Sequence, residues 1–200
     1  MNARIVIIED EFLGVGGTAL VNVGGNLTLD GKLNVSDIGG FGSGVYRLID
    51  YTGGLTDNGM LFGTLPGSVT PGDLTLQTAL ANQINLLVQG TPGEVQFWNG
   101  GKTNPDGSIS GGSGVWGPGT NWTDPSGTQA LASNGQFAVF GGQAGTVTVQ
   151  GNQNFTGLQF LSGGYSHVEV DVVGIDLARL HQPDHGVHVR AIHVHLTTVT

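Results

Sequence analysis

Apolar and polar residues alternate over short stretches along most of this chain. From Val21 the apolar positions are Val21, Val23, Leu27, Leu29, Leu33 and Val35, with Asn22, Thr28 and Asn34 between the members of each pair and Gly24-Gly25 and Asp30-Gly31 at the breaks. Period-2 alternation puts both members of a pair on one face of a short strand, and Asp-Gly supplies the positive φ of a tight turn. The pattern predicts strand, turn, strand. Further strands are predicted at Gly44-Val45-Tyr46-Arg47-Leu48-Ile49 and Gln83-Ile84-Asn85-Leu86-Leu87-Val88. Turn signals at Thr52-Gly53-Gly54, Asn58-Gly59, Leu65-Pro66-Gly67, Pro71-Gly72 and Pro92-Gly93 separate them. No stretch carries a clear 3.6-residue period, so the chain is expected to be all-β.

Two aliphatics flanking a threonine behind a glycine occur from Gly25 to Gly31, from Gly72 to Thr78 and from Gly145 to Gly151. A sandwich, a barrel and a solenoid all accommodate many short strands. Recurrence of one strand unit at unequal spacing favours a partial parallel β-helix, with roughly 20 residues per rung. Inward aliphatics would then pile into one continuous column along the coil, with rungs about 4.8 Å apart. An antiparallel β-sandwich is the alternative.

Composition narrows the function classes. Of 200 residues, 37 are glycine and 7 proline, yet glycine does not fall at every third position, which excludes a collagen. Charged residues make up only 10%, with a formal net charge of −9, the opposite of the clustered basic footprint that nucleic acid requires. No nucleic-acid partner is expected. With no cysteine, disulfides, thiolate metal sites and a cysteine nucleophile are excluded together. No apolar run approaches the roughly 18 residues of a spanning helix. Glu9, Asp10 and Glu11 interrupt the opening stretch where a signal peptide would be apolar, so neither a signal peptide nor a transmembrane segment is expected.

Three constellations are candidates for chemistry. All six histidines (His167, His181, His185, His188, His193 and His195) follow Ser166. On a strand, His193 and His195 share a face about 7 Å apart, and His188 from a neighbouring segment would complete a three-imidazole zinc set. The plainer reading is a histidine-rich surface strand. Trp98, Trp116 and Trp122 lie among asparagine and glycine. If exposed, they would stack on sugar rings, and if packed, they would close corners of the coil. Asp30, Asp37, Asp50, Asp57 and Asp73 mostly neighbour turn residues, where a carboxylate bonds backbone, and they do not read as the facing acid pair of a glycosidase. Gly14-Val15-Gly16-Gly17 and Gly39-Gly40-Phe41-Gly42 lack the Gly-Lys-Ser/Thr ending of a phosphate loop, and no Gly-x-Ser-x-Gly elbow is present. No catalytic residue and no cofactor is expected.

The stretch Gly24-Gly25-Asn26-Leu27-Thr28-Leu29-Asp30-Gly31-Lys32-Leu33-Asn34-Val35, followed by Gly44 to Tyr51, Leu55-Thr56-Asp57-Asn58-Gly59 and Leu65-Pro66-Gly67, resembles the passenger region of a bacterial autotransporter. Phe97-Trp98-Asn99-Gly100, Gly114-Val115-Trp116, Asn121-Trp122-Thr123, Phe140-Gly141-Gly142, Gly145 to Val149 and Phe155 to Phe160 resemble the autotransporter-associated β-strand repeat. The resemblance implies a right-handed parallel β-helix displayed at the cell surface of a Gram-negative bacterium, or secreted. In the parent protein, a C-terminal β-barrel translocator missing here would carry it out.

On this reading residues 1–95 are a β-helix passenger segment and residues 96–165 a repeat segment of the same solenoid. Residues 166–200 are an atypical histidine-rich tail, either a native cap or the product of a reading-frame change. The expected role is a non-enzymatic rigid stalk or adhesin with a host-surface protein or glycan as partner. A carbohydrate-binding β-solenoid is the second reading and a β-helical polysaccharide-degrading enzyme the third. Unpaired strand edges at the open solenoid ends, including the Gly14 end, favour self-association.

Overall fold

A computed structural model describes residues 18–165, except 38–40, 101, 103 and 152, together with the backbone of two short strands further on. Two compact units emerge: Met1–Thr78 with Asn82–Pro92, and Ala79–Ala81 with Gly93–Thr200. Apart from one 3-10 turn at Pro71–Asp73, all regular structure among the described residues is strand, so the chain is all-β.

In the first unit, β1 (Val21–Val23), β2 (Leu27–Leu29) and β3 (Lys32–Leu33) are followed by β4 (Gly44–Tyr51), β5 (Leu55–Asp57) and β6 (Leu61–Phe62). The second trio lies on the first in parallel register. Val21 is opposite Ile49, Leu27 opposite Leu55 and Lys32 opposite Leu61, so each position meets the one 28 or 29 residues further on. The expected rung of roughly 20 residues is therefore too short for this unit. The next strands, β7 (Leu74–Gln77) and β8 (Gln83–Val88), turn back: β8 runs antiparallel to both β4 and β7, giving the sheet order β1-β4-β8-β7. The sheets are thus mixed, where a uniformly parallel coil was expected, and none closes into a barrel.

Alternation explains the core of this unit. Leu29, Leu33, Tyr46, Leu48, Ile84 and Leu86 belong to one buried cluster, and each fully buried aliphatic contributes about 1.5–3 kcal/mol. Along β8, Ile84, Leu86 and Val88 enter that cluster, while Gln83, Asn85 and Leu87 occupy the opposite face and are buried as well. Across β7 and β8, Asn85 Nδ2 donates to Gln77 Oε1 at 2.7 Å.

The corners between rungs carry polar clamps. Asn26 Oδ1 accepts the Gly54 N–H and Asn34 Oδ1 accepts the Thr64 N–H, each at 2.8 Å, from the next rung. Each amide side chain fills space that a neighbouring Cβ would need. A Cβ on Gly63 would run into Asn34 Oδ1, and one on Gly53 would come within 2.6 Å of the Asn26 backbone nitrogen. At both corners the space a Cβ would take is already filled from the rung below, by the Asn34 side chain at Gly63 and by the Asn26 side chain and backbone at Gly53.

The second unit contains β9 (Val95–Trp98), β10 (Gly114–Trp116), β11 (Trp122–Thr123), β12 (Ala130–Leu131), β13 (Phe137–Phe140), β14 (Val147–Val149) and β15 (Gly157–Phe160). Five strands form the sheet β12-β11-β9-β13-β15. Within it, β13 is parallel to both β9 and β15, and β11 is antiparallel to both β9 and β12. A separate parallel pair joins β10 to β14, and Ser113 Oγ accepts the Thr146 N–H at its entrance, at 2.9 Å, as Asn26 does in the first unit. Leu80, fully buried, bridges in parallel to Ile109. Further on, β16 (Glu169–Val170) and β17 (His193–Val194) form a parallel pair.

Each unit carries a buried hydrophobic cluster of its own residues, where the alternation led to the expectation of one aliphatic column. In the second unit the core is aromatic: Trp98, Trp116, Trp122, Phe140, Phe160 and Tyr165 pack together with a few small aliphatics.

Candidate functional site

Strands β9, β10 and β11 each deliver one tryptophan to the aromatic cluster. Trp98, Trp116 and Trp122 are at most 2% exposed. Phe140 sits at the centre, its ring centroid 5.7 Å from Trp98 and from Trp116, 5.4 Å from Trp122, 5.0 Å from Phe160 and 5.5 Å from Tyr165. Trp122 is edge-on to Trp98, Trp116 and Phe140, the geometry that the aromatic quadrupole favours by about 0.5–1.5 kcal/mol per pair. Three polar edges of the cluster are tied to backbone or side chain, while Trp122 Nε1 is buried without a partner among the described residues. Trp98 Nε1 donates to Gly112 O at 2.8 Å, Trp116 Nε1 to Ser133 Oγ at 3.2 Å, and the Tyr165 hydroxyl to Gly141 O at 2.8 Å. Burial raises the Tyr165 pKa well above the ordinary phenol value, so the hydroxyl stays a donor. With the rings facing one another, no tryptophan face is open to a sugar, and the expected stacking platform at Trp98, Trp116 and Trp122 gives way to a packing role.

Most of the carboxylates are occupied by local bonds. Asp30 accepts the Gly31 N–H, Asp57 the Gly59 N–H, and Asp73 both the N–H and the hydroxyl of Thr70, which lower its pKa. Asp50 departs from the turn reading and pairs with Arg47 Nε at 2.7 Å.

Two further aspartates organise the loops of the second unit. Lys102 Nζ lies 2.6 Å from Asp106 Oδ1, which also accepts the Ser108 hydroxyl and N–H; led by the Lys102 bond, these contacts hold Asp106 at a pKa of about 2. Asp124 loses solvation, which would raise its pKa, but N–H donors from Gln129, Thr128 and Ser126 and the Thr128 hydroxyl outweigh that and lower it. Sequence reasoning missed both loops. Their signal was present in Asp106-Gly107-Ser108 and in Asp124-Pro125-Ser126-Gly127-Thr128, where an aspartate precedes turn residues whose amides it can accept.

Among the described residues no group of three or more His, Asp or Glu side chains is placed to hold a metal. His188 and His195 lie outside the described residues, and only the strand backbone of His193, opposite Glu169, is described. No described helix is long and apolar enough to cross a membrane. What the second unit offers chemically is a rigid aromatic core carrying loops that are tied down by their own aspartates.

No protein-family model matches the chain, and no solved structure matches it. Sequence comparison does find similarity to an autotransporter, the family that the stretch from Gly24 to Gly67 resembles. The chain is similar to the Adhesin BmaC autotransporter of Brucella suis biovar 1 (strain 1330), with 44% identity over 167 residues. The match takes in 76% of this chain and 5% of that adhesin, so the chain corresponds to a small part of its relative.

Proposed function

We propose that this chain is a non-enzymatic segment of the surface-displayed passenger of an autotransporter adhesin. It works as a rigid stalk whose loops supply any adhesive contacts. The 44% identity to an autotransporter adhesin carries the reading. The parallel stacking of β1, β2 and β3 under β4, β5 and β6 supports it in mechanical terms, because inter-rung hydrogen bonds and amide clamps join each rung to the next. On this proposal the first unit is an elaborated stretch of right-handed β-helix, with the β7–β8 hairpin as its elaboration. Residues 96–165 form an autotransporter-associated repeat, and a C-terminal barrel in the parent protein delivers the whole to the outer surface.

The test is antibody labelling of the parent bacterium with serum raised against residues 18–165. Labelling of intact cells, with loss of adhesion on in-frame deletion of the segment, is the expected result. Labelling only after permeabilisation, or release of reducing ends from polysaccharide by the purified chain, would overturn the proposal.

A further inference from the structure

The sequence contains three Asn-Gly steps, Asn58-Gly59, Asn99-Gly100 and Asn134-Gly135, and the fold treats them differently. An Asn-Gly step is chemically weak because glycine has no side chain to hinder attack of its nitrogen on the preceding side-chain amide. That attack requires the asparagine Cγ to swing onto the next backbone nitrogen. Asn99 is only 3% exposed and cannot swing: its Oδ1 accepts the Ser110 N–H at 2.7 Å and its Nδ2 reaches Ser108 O at 3.4 Å. Asn134 is exposed but doubly tied, with Oδ1 accepting the Gln136 N–H and Nδ2 donating to Gly93 O, both at 3.0 Å. Asn58 sits exposed in the turn between β5 and β6, and its side chain makes no hydrogen bond among the described residues. Only the backbone of the turn is held, by the Asn58 N–H to Leu29 O and the Gly59 N–H to the exposed Asp57 carboxylate, each at 2.9 Å. The second of these is a solvent-facing bond that costs little to open.

We propose that Asn58 is a spontaneous modification site, converting through a succinimide to aspartate and isoaspartate while Asn99 and Asn134 are protected by the fold. Gly59 N forms a bond to Asn58 Cγ, the Cγ–Nδ2 bond breaks, and ammonia leaves carrying the proton lost by Gly59 N. Water then opens the ring. Hydrolysis at Cγ gives aspartate, and hydrolysis at the backbone carbonyl carbon gives isoaspartate, whose main chain is one atom longer. Either product adds a negative charge beside Asp57. The longer one also shifts the register of β6, whose Leu61 N–H donates to Gly31 O on the rung before.

The inference does not depend on the role proposed for the chain. It is tested by incubating the intact chain at neutral and mildly alkaline pH, folded and in urea, followed by peptide mapping with fragmentation that distinguishes aspartate from isoaspartate. In the folded chain Asn58 should convert at least about tenfold faster than Asn99 or Asn134, equivalent to about 1.4 kcal/mol of barrier. In urea the three rates should converge, and Asn58→Gln should abolish the fast product alone. Equal rates in the folded chain would overturn the proposal, as would a preference for Asn58 that persists undiminished in urea.

Discussion

The corner clamp at Gly63 makes a prediction whose sign depends on a second residue. An alanine at position 63 places a Cβ against Asn34 Oδ1, and the Asn34 side chain is the closest obstacle it meets. To make room, Asn34 must leave the Thr64 N–H, a 2.8 Å bond worth about 1 kcal/mol net. Against that loss, Gly→Ala at a site without a positive φ stabilises by about 0.4–1 kcal/mol, because it narrows the unfolded ensemble. Gly63→Ala in the natural chain should therefore be neutral to slightly destabilising. In the Asn34→Ala background the obstacle is gone, and the same change should stabilise by about 0.4–1 kcal/mol. The coupling between the two sites is then about 1 kcal/mol, within the range found for residues in direct contact. Urea unfolding followed by far-ultraviolet circular dichroism measures all four corners of the cycle, and amide exchange at Thr64 reports the clamp directly. An identical effect of Gly63→Ala in both backgrounds would refute the reasoning, since the amide would then not be what excludes a side chain there.

Other outcomes follow from the second unit. Phe140→Ala removes the ring that five others touch and should cost about 3–5 kcal/mol in thermal or urea unfolding, with a red shift of tryptophan emission; a cost below about 1 kcal/mol would mean that the cluster is not the core. Native tryptophan fluorescence should resist acrylamide and ignore added oligosaccharides, while a sugar-dependent shift would return Trp98, Trp116 and Trp122 to a binding role. Asp106, held low mainly by Lys102, contributes stability that is present above the ordinary carboxylate pKa of 3.8 and is lost as pH falls towards about 2. Lys102→Met should raise the Asp106 pKa towards 3.8, read from its carboxyl carbon shift, and an unchanged midpoint would remove Lys102 as the principal cause.

The strands themselves were legible in the sequence, but their partners were not. Alternation from Val21 to Leu33 and the Asp30-Gly31 turn correspond to β1, β2 and β3, and the aliphatic runs at 44–49 and 83–88 fall within or on β4 and β8. The repeated glycine-aliphatic-threonine-aliphatic unit misled about pairing. Leu27–Leu29 lies on Leu55–Asp57, whereas the look-alike Leu74–Gln77 pairs antiparallel with β8. A strand's own residues encode its two faces and say little about its direction or its neighbour, which depend on contacts distant in sequence. The better register signal was polar: Asn26 and Asn34 recur 28 and 30 residues ahead of the amides they clamp at Gly54 and Thr64. The tryptophans were ambiguous for a related reason. Glycine and asparagine beside Trp98 and Trp122 look like an exposed loop, yet they provide a compact corner at Asn99, a residue 3% exposed whose side-chain amide bonds the segment that follows.

Parallel stacking of one rung on the next is the claim on which the stalk reading depends, and NMR can observe it in the intact chain. Interstrand nuclear Overhauser effects should connect the backbones of Val21 with Ile49, Leu27 with Leu55 and Leu33 with Phe62, all in ascending order. Effects that instead join these segments in descending order, or that link Leu27 to Leu74, would contradict the account.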